Sequence, residues 1–468
     1  MLLDLLLASF TLANTAAALA LYEPADGKVM WGGWVDSENA TATGNIGVGG
    51  DSPATFNQRL GKNAAVFHMS QSIPLAISPF DQTEETVPLK LIEDTNTDAV
   101  LFLTVYPPQY VAGSWDQVTD SDLLKLAYQL GNITDPTKSS RRVMLRYAPE
   151  MNGNWFYYAQ QPTRFKTEWV RMWTAVRAVT KRVAFVWSPN ASNGYPFGGK
   201  QVPNAQLGPL DSNGDGTLDN NDDPYTPYWP GDQYVDWVGM SVYWKGDPAT
   251  GNPPHDNSLP PSDYWTQLVE GGGKFGGNKA YPFYTTWAKG KNLPLVMSEG
   301  GSAFAISQQG TSGTLPVGVG QLKIEQAFWQ GYLNPTFFAT YPKAKMFINF
   351  EYEKLNEDPA LPTQNGVTRD YRITNDPTVL AAFQSDIAGL GNVLQWSSKF
   401  VAGLDPLTIG GGTSDTVPKS SGSAATTTAP SGGSALPVSM TTVTTSTKSA
   451  AAQMIAAGAA AIGAALLM

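Results

Sequence analysis

Short runs of apolar and β-branched residues recur along the chain between Val29 and Tyr352, separated by polar and glycine-containing stretches. Short apolar runs bounded by turn signals are typical of strands that are buried on both faces. There are eight of them: VMWGGWV from Val29, AAVFHMS from Ala64, AVLFLTVYP from Ala99, RVMLRYA from Arg142, RVAFVWSP from Arg182, VDWVGMSVYW from Val235, PLVMSEGG from Pro294 and AKMFINFEY from Ala344.

Several intervals between these runs carry amphipathic helical patterns. In RFKTEWVRMWTAVRAVT, apolar side chains recur at helical spacing on one face. They are Phe165, Trp169, Met172, Trp173 and Val176. Buried strands that alternate with helices predict a parallel sheet covered on its outer side. Eight such units predict an α/β fold, a (β/α)8 TIM barrel, with a long insertion after the fifth strand.

The active site of such a barrel lies at the carboxyl ends of its strands. Glu150 follows the fourth run and Glu299 ends the seventh, and each precedes a glycine-containing turn. One glutamate alone could cap a helix or pair with a base such as Arg146, but two in the same ring favour catalysis. The other residues at strand ends are Trp34, Asp36, His68, Tyr106, Trp187, Asn190, Tyr243, Trp244, Asn349, Glu351 and Tyr352.

Two carboxyl groups that face each other across a cleft can hydrolyse a glycosidic bond. One protonates the leaving oxygen, and the other attacks or stabilises the anomeric carbon; a separation of roughly 5 to 5.5 Å gives retention of configuration. We expect burial and the negative charge of Glu299 to raise the pKa of Glu150. Glu150 would then be protonated near neutral pH in the resting enzyme.

Composition narrows the possible functions. The chain has 468 residues, 42% of them hydrophobic, and a net charge of −10, which argues against disorder and against a nucleic-acid partner. It contains no cysteine and only two histidines, His68 and His255, so disulfides and thiol nucleophiles are excluded and a multi-histidine metal centre is not supported. The 14 tryptophans are suited to stacking on sugars or to core packing.

Three segments resemble glycoside hydrolase family 26. APEMNGNWFYYA resembles the family's acid/base segment, YWPGDQYVDWVGMSVYW is similar to its sixth strand, and PLVMSEGG looks like its nucleophile strand. They occur in the family's order, and the resemblance covers residues 25–400. It implies a retaining barrel in which Glu150 is the acid/base and Glu299 the nucleophile. It also implies a polysaccharide substrate, mainly β-1,4-mannan in this family and in some members mixed-linked glucan or xylan.

The resemblance also implies that Tyr243 hydrogen-bonds the nucleophile and that Trp155 lines the sugar subsites. Family members carry histidine where this chain has Pro149, and Glu-Phe-Gly is commoner than the Glu-Gly-Gly at Glu299. These departures leave open another specificity, transglycosylation, or a barrel that binds wall polysaccharide without turnover. The complete set of expected substrate-binding residues is Trp34, His68, Asn152, Trp155, Trp187, Tyr243 and Trp244.

A calcium-binding loop is predicted in the insertion after the fifth strand. DSNGDGTLDNNDD has the ligand spacing of a calcium loop, with Gly216 at the sharp turn. No helices flank it, so we expect a structural Ca²⁺ site; an acidic, solvated turn is the alternative, and no cofactor is expected for catalysis. The predicted ligands are Asp211, Asn213, Asp215, Thr217, Asp219 and Asp222.

Both ends of the chain are typical of processing signals. Residues 1–20 predict a secretory signal peptide, with a buried helix as the alternative, and residues 21–405 the catalytic domain. Residues 406–448 form a stalk rich in Ser, Thr, Gly and Pro, and the apolar tail 449–468 predicts a GPI-anchor signal or, alternatively, a transmembrane anchor. Sequons at Asn39, Asn132 and Asn190 fit a secreted, surface-anchored glycoprotein. We expect a monomer, attached to the membrane through its lipid anchor.

Overall fold

The computed structural model describes most of the chain between residues 19 and 408. The described residues are 19–37, 49–75, 87–197, 205–247, 256–272, 274–275, 278–279, 281–308, 315–356 and 366–408. The predicted signal peptide up to residue 18, the stalk beyond residue 408 and the apolar tail lie outside these ranges, as do Asn39 and His255. The expectations for those segments stay predictions.

Eight parallel strands form a closed barrel. Each strand pairs in parallel with the next, and the last strand pairs with the first. This closure confirms the predicted (β/α)8 barrel. The strands are β1 Val29–Val35, β2 Val66–Ser72, β3 Val100–Tyr106, β4 Val143–Tyr147, β5 Val183–Trp187, β6 Trp237–Trp244, β7 Leu295–Ser302 and β8 Ala344–Glu351.

Helices cover the outside of the barrel. The segment with the strongest helical pattern forms α4, which begins with Pro162 in its first turn and buries Phe165, Trp169 and Met172. None of the described helices is both long and apolar enough to cross a bilayer. The helices are α1 Pro53–Leu60, α2 Val87–Glu93, α3 Asp120–Thr134, α4 Pro162–Val179, α5 Leu207–Leu210, α6 Tyr264–Glu270, α7 Gln321–Gln330, α8 Pro335–Thr340 and α9 Pro377–Ala388, with a π-helical turn at Tyr284–Lys289.

Apolar side chains pack in two layers, one inside the barrel and one between strands and helices. The interior layer includes Phe102, Met144 and Trp237. Leu21 and Tyr22 close its amino-terminal end: the indole of Trp237 donates to the Leu21 carbonyl at 2.8 Å, and the Tyr22 hydroxyl donates to the carbonyl of Arg182 at 2.6 Å. The residues just after the predicted signal peptide therefore belong to the core.

Two additions modify the carboxyl ends of the strands. The connection from β5 to β6 contains α5 and the 3-10 turns Thr226–Tyr228 and Asp232–Tyr234, as expected for an insertion after the fifth strand. Beyond β7 and β8, the antiparallel strands Phe304–Gln308, Val367–Asp370 and Glu353–Asn356 form a second sheet, which we call the extension sheet. Two of its strands, Phe304–Gln308 and Glu353–Asn356, follow β7 and β8 after one residue each. The extension sheet therefore begins close to the predicted nucleophile on β7.

Candidate active site

Glu150 lies just beyond β4 in a strained backbone segment. Ala148 and Glu150 have φ angles of +46° and +53°, values that side chains larger than glycine rarely adopt and that cluster at functional sites. Pro149 lies between them, and its carbonyl accepts a hydrogen bond from Tyr158 at 2.7 Å. The Glu150 N–H donates to the Ser188 carbonyl at 2.9 Å. These contacts hold the turn against the end of β5 and fix the position of the carboxyl group.

The turn after Glu150 brings Trp155 back onto its carboxyl group. The indole N–H of Trp155 donates to Glu150 Oε2 at 2.8 Å. A Cβ atom at Gly153 would lie 2.5 Å from the Trp155 ring, so only glycine allows the ring to fold over this turn. Trp155 is half-buried and packs edge-on against Phe197. The Asn-Gly-x-Trp sequence therefore positions the acid and leaves part of an aromatic face at the surface of the cleft.

Glu299 lies on β7 at a β-bulge. The register with β6 pairs Met240 with Met297 and Ser241 with Glu299, so Ser298 is an extra residue on β7. The Ser298 hydroxyl accepts a hydrogen bond from Ser188 inside the barrel at 2.9 Å, and Glu299, the next residue, also points inward. Bulges are frequent beside active sites because they redirect a side chain. Here the bulge turns two consecutive side chains toward the barrel axis.

Arg146 occupies the centre of the site and is completely buried. Its guanidinium donates to Glu299 Oε2 at 2.6 Å, to the Ser241 hydroxyl at 2.7 Å and to the Ser188 hydroxyl at 3.0 Å. Burial disfavours the charge of this side chain, but the negative charge of Glu299, together with smaller contributions from Tyr106, Glu150 and the hydrogen bond to Glu299, outweighs burial and raises the pKa of Arg146. Arg146 thus forms its ion pair with Glu299 and not with Glu150.

The two glutamates differ in their electrostatic environment. Burial and the negative charge of Glu299 raise the pKa of Glu150, while Arg146 and hydrogen bonds from Ser241 and Trp155 oppose the shift. This direction is the one expected from the sequence. A protonated carboxylic acid beside a paired carboxylate can deliver a proton on one side of a bond and a nucleophile on the other.

Aromatic residues line the cleft on the Glu299 side. The Tyr243 hydroxyl donates to Glu299 Oε1 at 3.3 Å, which is the contact implied for this tyrosine. The Tyr243 ring packs edge-on against Phe350 and Tyr371. Trp34 is half-buried and packs against Phe350 as well. Of the seven expected substrate-binding residues, Trp34, Trp155 and Tyr243 are the ones that the fold places around the two glutamates with part of their surface accessible.

Two of the expected substrate-binding tryptophans face away from the cleft. Trp187 is fully buried in the layer between strands and helices, where it packs on Trp229 and donates to the Tyr228 carbonyl at 3.2 Å. Trp244 lies in the same layer, and its indole donates to the Ser258 carbonyl at 2.9 Å. Side chains alternate along a strand, so Trp244 points outward because Tyr243 points inward. Both assignments as sugar-contacting residues are wrong.

His68 and Asn152 are also inaccessible to a substrate. His68 is fully buried beneath Trp34, with ring centroids 3.8 Å apart, and its Nε2 lies 2.6 Å from the Thr104 hydroxyl. Burial and the positive charge of Arg146 keep the pKa of His68 well below its usual value. Asn152 is fully buried and exchanges two hydrogen bonds with the backbone of Asn190. Both side chains are buried and contact other residues of the site, so the expectation that they contact sugar is wrong.

Sequence reasoning gave no role in the site to Arg146 and Ser241, and it named Asn190 only as one of the residues at the strand ends. Asn190 Nδ2 donates to Glu150 Oε1 at 3.1 Å, so a glycan on the predicted sequon at Asn190 would be attached at the nitrogen that contacts the acid. The alternation along β4 places Arg146 on the inward face with Met144, a signal that the sequence contains. The same alternation along β6 places Ser241 on the inward face with Trp237 and Tyr243.

The predicted calcium loop forms the expected turn. Gly216 has a φ angle of +85°, and Asp211 accepts hydrogen bonds from the backbone N–H groups of Gly214 and Gly216 at 2.8 and 2.7 Å. Asp222 is buried and accepts from the N–H of Ser212 at 2.7 Å. Within the described parts of the chain, no three acidic or histidine side chains converge as metal ligands. The turn is confirmed, and calcium binding stays a prediction.

Comparisons with solved structures name the family that the motifs suggest. The chain is similar to the catalytic domain of a GH26 endo-β-1,4-mannanase from Bacillus sp. JAMB-750, with 15% identity over 79% of this chain and 87% of that one and a TM-score of 0.44. It is also similar to GH26C from Muricauda sp. MAR_2010_75, with 12% identity over 83% of this chain and 90% of that one and a TM-score of 0.44. It is similar to mannanase man26 of Bacillus subtilis as well, with 14% identity over 73% of this chain and 83% of that one and a TM-score of 0.37.

No family model matches the chain, and no curated protein sequence does. The fold assignment therefore rests on the strand pairing of this chain, and the family resemblance rests on its motifs.

Proposed function

We propose that the protein is a secreted, surface-anchored β-glycanase of the retaining type, with Glu150 as acid/base and Glu299 as nucleophile. The observation that carries this proposal is the asymmetry of the two carboxyl groups. Glu299 is paired with Arg146 at 2.6 Å, whereas the pKa of Glu150 is raised by burial and by the charge of Glu299. An enzyme that cleaves glycosides by double displacement needs one group of each kind.

Each glutamate acts twice in the proposed mechanism. Glu299 attacks the anomeric carbon while Glu150 gives its proton to the glycosidic oxygen, so that the bond to the leaving sugar breaks and a glycosyl ester forms on Glu299. Glu150, now a carboxylate, then takes a proton from water. The resulting attack at the anomeric carbon releases Glu299 and restores the original configuration. An acceptor sugar hydroxyl in place of water gives transglycosylation by the same steps.

The substrate we propose is a β-linked polysaccharide, such as β-1,4-mannan or a cell-wall β-glucan. The motif resemblance supports this class, and partly exposed rings at Trp34, Trp155 and Tyr243 are suited to stacking on sugar faces. The secretory signal, the stalk and the anchor signal in the sequence support action at the cell surface. The anchor would hold the barrel beside wall polymers, so that hydrolysis or transfer remodels the wall to which the cell is attached.

Active-site variants of the full chain, purified in mild detergent, test this proposal against mannan, mixed-linked glucan, xylan and β-1,3-glucan. Glu150→Gln is expected to lower kcat on the order of 10²- to 10⁴-fold, and Glu299→Gln is expected to lower it by about 10⁴-fold or more. Glu270→Gln, which removes an exposed carboxylate at the end of α6, is the matched control. Undiminished activity of Glu299→Gln would contradict the mechanism.

A chemical rescue experiment assigns the acid/base. In Glu150→Ala, azide can attack the glycosyl ester without needing a base, so azide is expected to restore turnover of a substrate with a good leaving group and to yield a β-glycosyl azide. An α-glycosyl azide would exclude the retaining pathway.

A polysaccharide-binding protein without turnover is the second candidate. Pro149 favours it, because proline has no side-chain donor and no N–H for the contacts of the family's histidine. In the same screen, binding of a polysaccharide by the unmodified protein with no product from any substrate would support this candidate.

A further inference from the structure

A lysine from the extension sheet lies at the mouth of the barrel. Lys354 belongs to the strand Glu353–Asn356, which follows β8 after one residue. Its ammonium lies 5.4 Å from the centre of the Phe350 ring, close enough for a cation–π contact. Phe350 packs edge-on against both Trp34 and Tyr243. Lys354 is therefore placed over the aromatic residues that line the nucleophile side of the cleft.

A second lysine approaches the same pair of rings. Lys245 directly follows β6, and its ammonium lies 5.5 Å from the centre of the Tyr243 ring. The rings of Tyr243 and Phe350 are 5.7 Å apart and perpendicular. Since the Tyr243 hydroxyl contacts Glu299, both ammonium groups lie over rings that pack beside the nucleophile.

The acidic residues of the cleft do not neutralise Lys354 through a direct ion pair. Glu299 is already paired with Arg146 at 2.6 Å, and among the residues that the structure describes no carboxylate oxygen lies within 4.0 Å of the Lys354 ammonium. Burial lowers the pKa of Lys354, and the charges of Glu299, Glu150 and Asp36 oppose that shift. A half-buried ammonium without a close anion gains most from a ligand that supplies one.

We propose that Lys354, assisted by Lys245, binds an anionic group on the sugar next to Glu299, so that the substrate is an acidic polysaccharide. This inference rests on the proposed glycanase function and makes its substrate class more specific. The anionic group is the carboxylate of a uronic acid or a phosphate ester, which offer the same charge-assisted contact to an ammonium. Neutral mannan or glucan would be cleaved by the same two glutamates but would give Lys354 no anionic partner.

Matched acidic and neutral substrates test the proposal on the full chain. One pair is a uronate-bearing β-glycan and its carboxyl-reduced form; the other is a phosphate-bearing β-mannan and its phosphatase-treated form. The unmodified enzyme is expected to favour the acidic member of one pair by about ten- to hundredfold in kcat/KM, the range for a hydrogen bond to a charged group. Which pair shows the preference identifies the anion, and equal rates within both pairs would overturn the proposal.

Two lysine variants separate this contact from a general effect of charge. Lys354→Met is expected to abolish the preference by raising KM for the acidic substrate, so that the ratio of kcat/KM between the acidic and the neutral member of the pair falls to about one. Lys291→Met is the matched control, because Lys291 also lies over an aromatic ring, 4.8 Å from Trp229, on the outer side of the barrel. Equal losses on acidic and neutral substrates in Lys354→Met would show that Lys354 does not read the anion.

Binding measurements keep the two proposals distinguishable. Calorimetry with Glu299→Gln compares acidic and neutral oligosaccharides without turnover, and the affinity difference is expected to disappear when Lys354→Met is added. If no substrate is cleaved but this difference is present, the glycanase proposal fails and the anion site stands. If cleavage occurs and the difference is absent, the anion site fails and the glycanase proposal stands.

Discussion

Trp155 is the residue whose role is easiest to isolate, because it touches Glu150 through a single hydrogen bond of 2.8 Å. That bond favours the charged form of Glu150 and lowers its pKa. Trp155→Phe keeps most of the ring but removes the N–H, so the pKa of Glu150 is expected to rise. The acid then stays protonated to higher pH, and the alkaline limb of the pH profile of kcat/KM is expected to move upward by about one unit.

The position of the limb, and not the height of the profile, is the quantity to read, because Trp155 can also contact sugar. Trp173→Phe on α4 is the control, since Trp173 packs on Tyr234 in the outer layer. An alkaline limb at the same pH in Trp155→Phe and the unmodified enzyme would mean that the indole does not tune the acid.

At the scale of elements, the order of strands and helices could be predicted from the sequence. Whether a given side chain points into the barrel or out toward the helices could be predicted for only some residues. Tyr243 and Trp244 are neighbours on one strand, so alternation allows only one of them to face inward, and choosing between them requires a known inward residue. Ser298 and Glu299 break the alternation through the bulge. A bulge depends on how β7 pairs with β6, and the sequence of one strand alone does not determine that pairing.

The calcium loop is an element whose function can be tested separately from catalysis. If Asp211–Asp222 binds Ca²⁺, mass action stabilises the folded state, and millimolar Ca²⁺ is expected to raise Tm by a few degrees while EDTA lowers it. Asp215→Asn keeps an oxygen acceptor for the Thr217 N–H, at 2.8 Å in the native loop, but removes a ligand charge, so the variant is expected to lose most of the Ca²⁺-dependent shift.

Asp263→Asn serves as the control, because Asp263 is an exposed aspartate before α6, outside the loop, and its side chain does not cap that helix. Identical melting curves of the unmodified protein in Ca²⁺ and in EDTA would favour the acidic, solvated turn.

For the molecule as a whole, a buried glutamate makes stability depend on pH. Glu351 at the end of β8 accepts hydrogen bonds from Asn349 at 2.6 Å, from the Ile373 N–H at 3.1 Å and from the Thr374 hydroxyl at 2.8 Å. Burial outweighs these bonds and raises the pKa of Glu351 from 4.5 to about 7. The folded state therefore holds this proton more tightly than the unfolded state.

The sign of the effect follows from that difference. The stabilisation from Glu351 is fully present below pH 4.5, the unfolded value, and is lost as the pH rises to about 7. One group can contribute at most about 3 kcal/mol across this window. Glu351→Gln cannot titrate, so the free energy of unfolding from urea curves is expected to fall less steeply with pH in the variant than in the unmodified protein.

Slopes between pH 5 and pH 7.5 are compared, not absolute stabilities, because Gln also changes the hydrogen bonds. Glu325 is buried with its pKa raised in the same direction, so part of the slope remains in the variant. Equal slopes for Glu351→Gln and the unmodified protein would contradict the assignment.

The pairing of β1 with β8 has a consequence for how the chain reaches this structure. β1 is the first barrel strand to be synthesised, and one of its edges stays open until β8, the last, has been made. Contacts between such distant parts of a chain form slowly, because a long loop must close before they stabilise anything. Until then the nascent sheet presents two unpaired edges, the kind that pair with other chains. The first barrel strand to be made therefore remains longest without its second neighbouring strand.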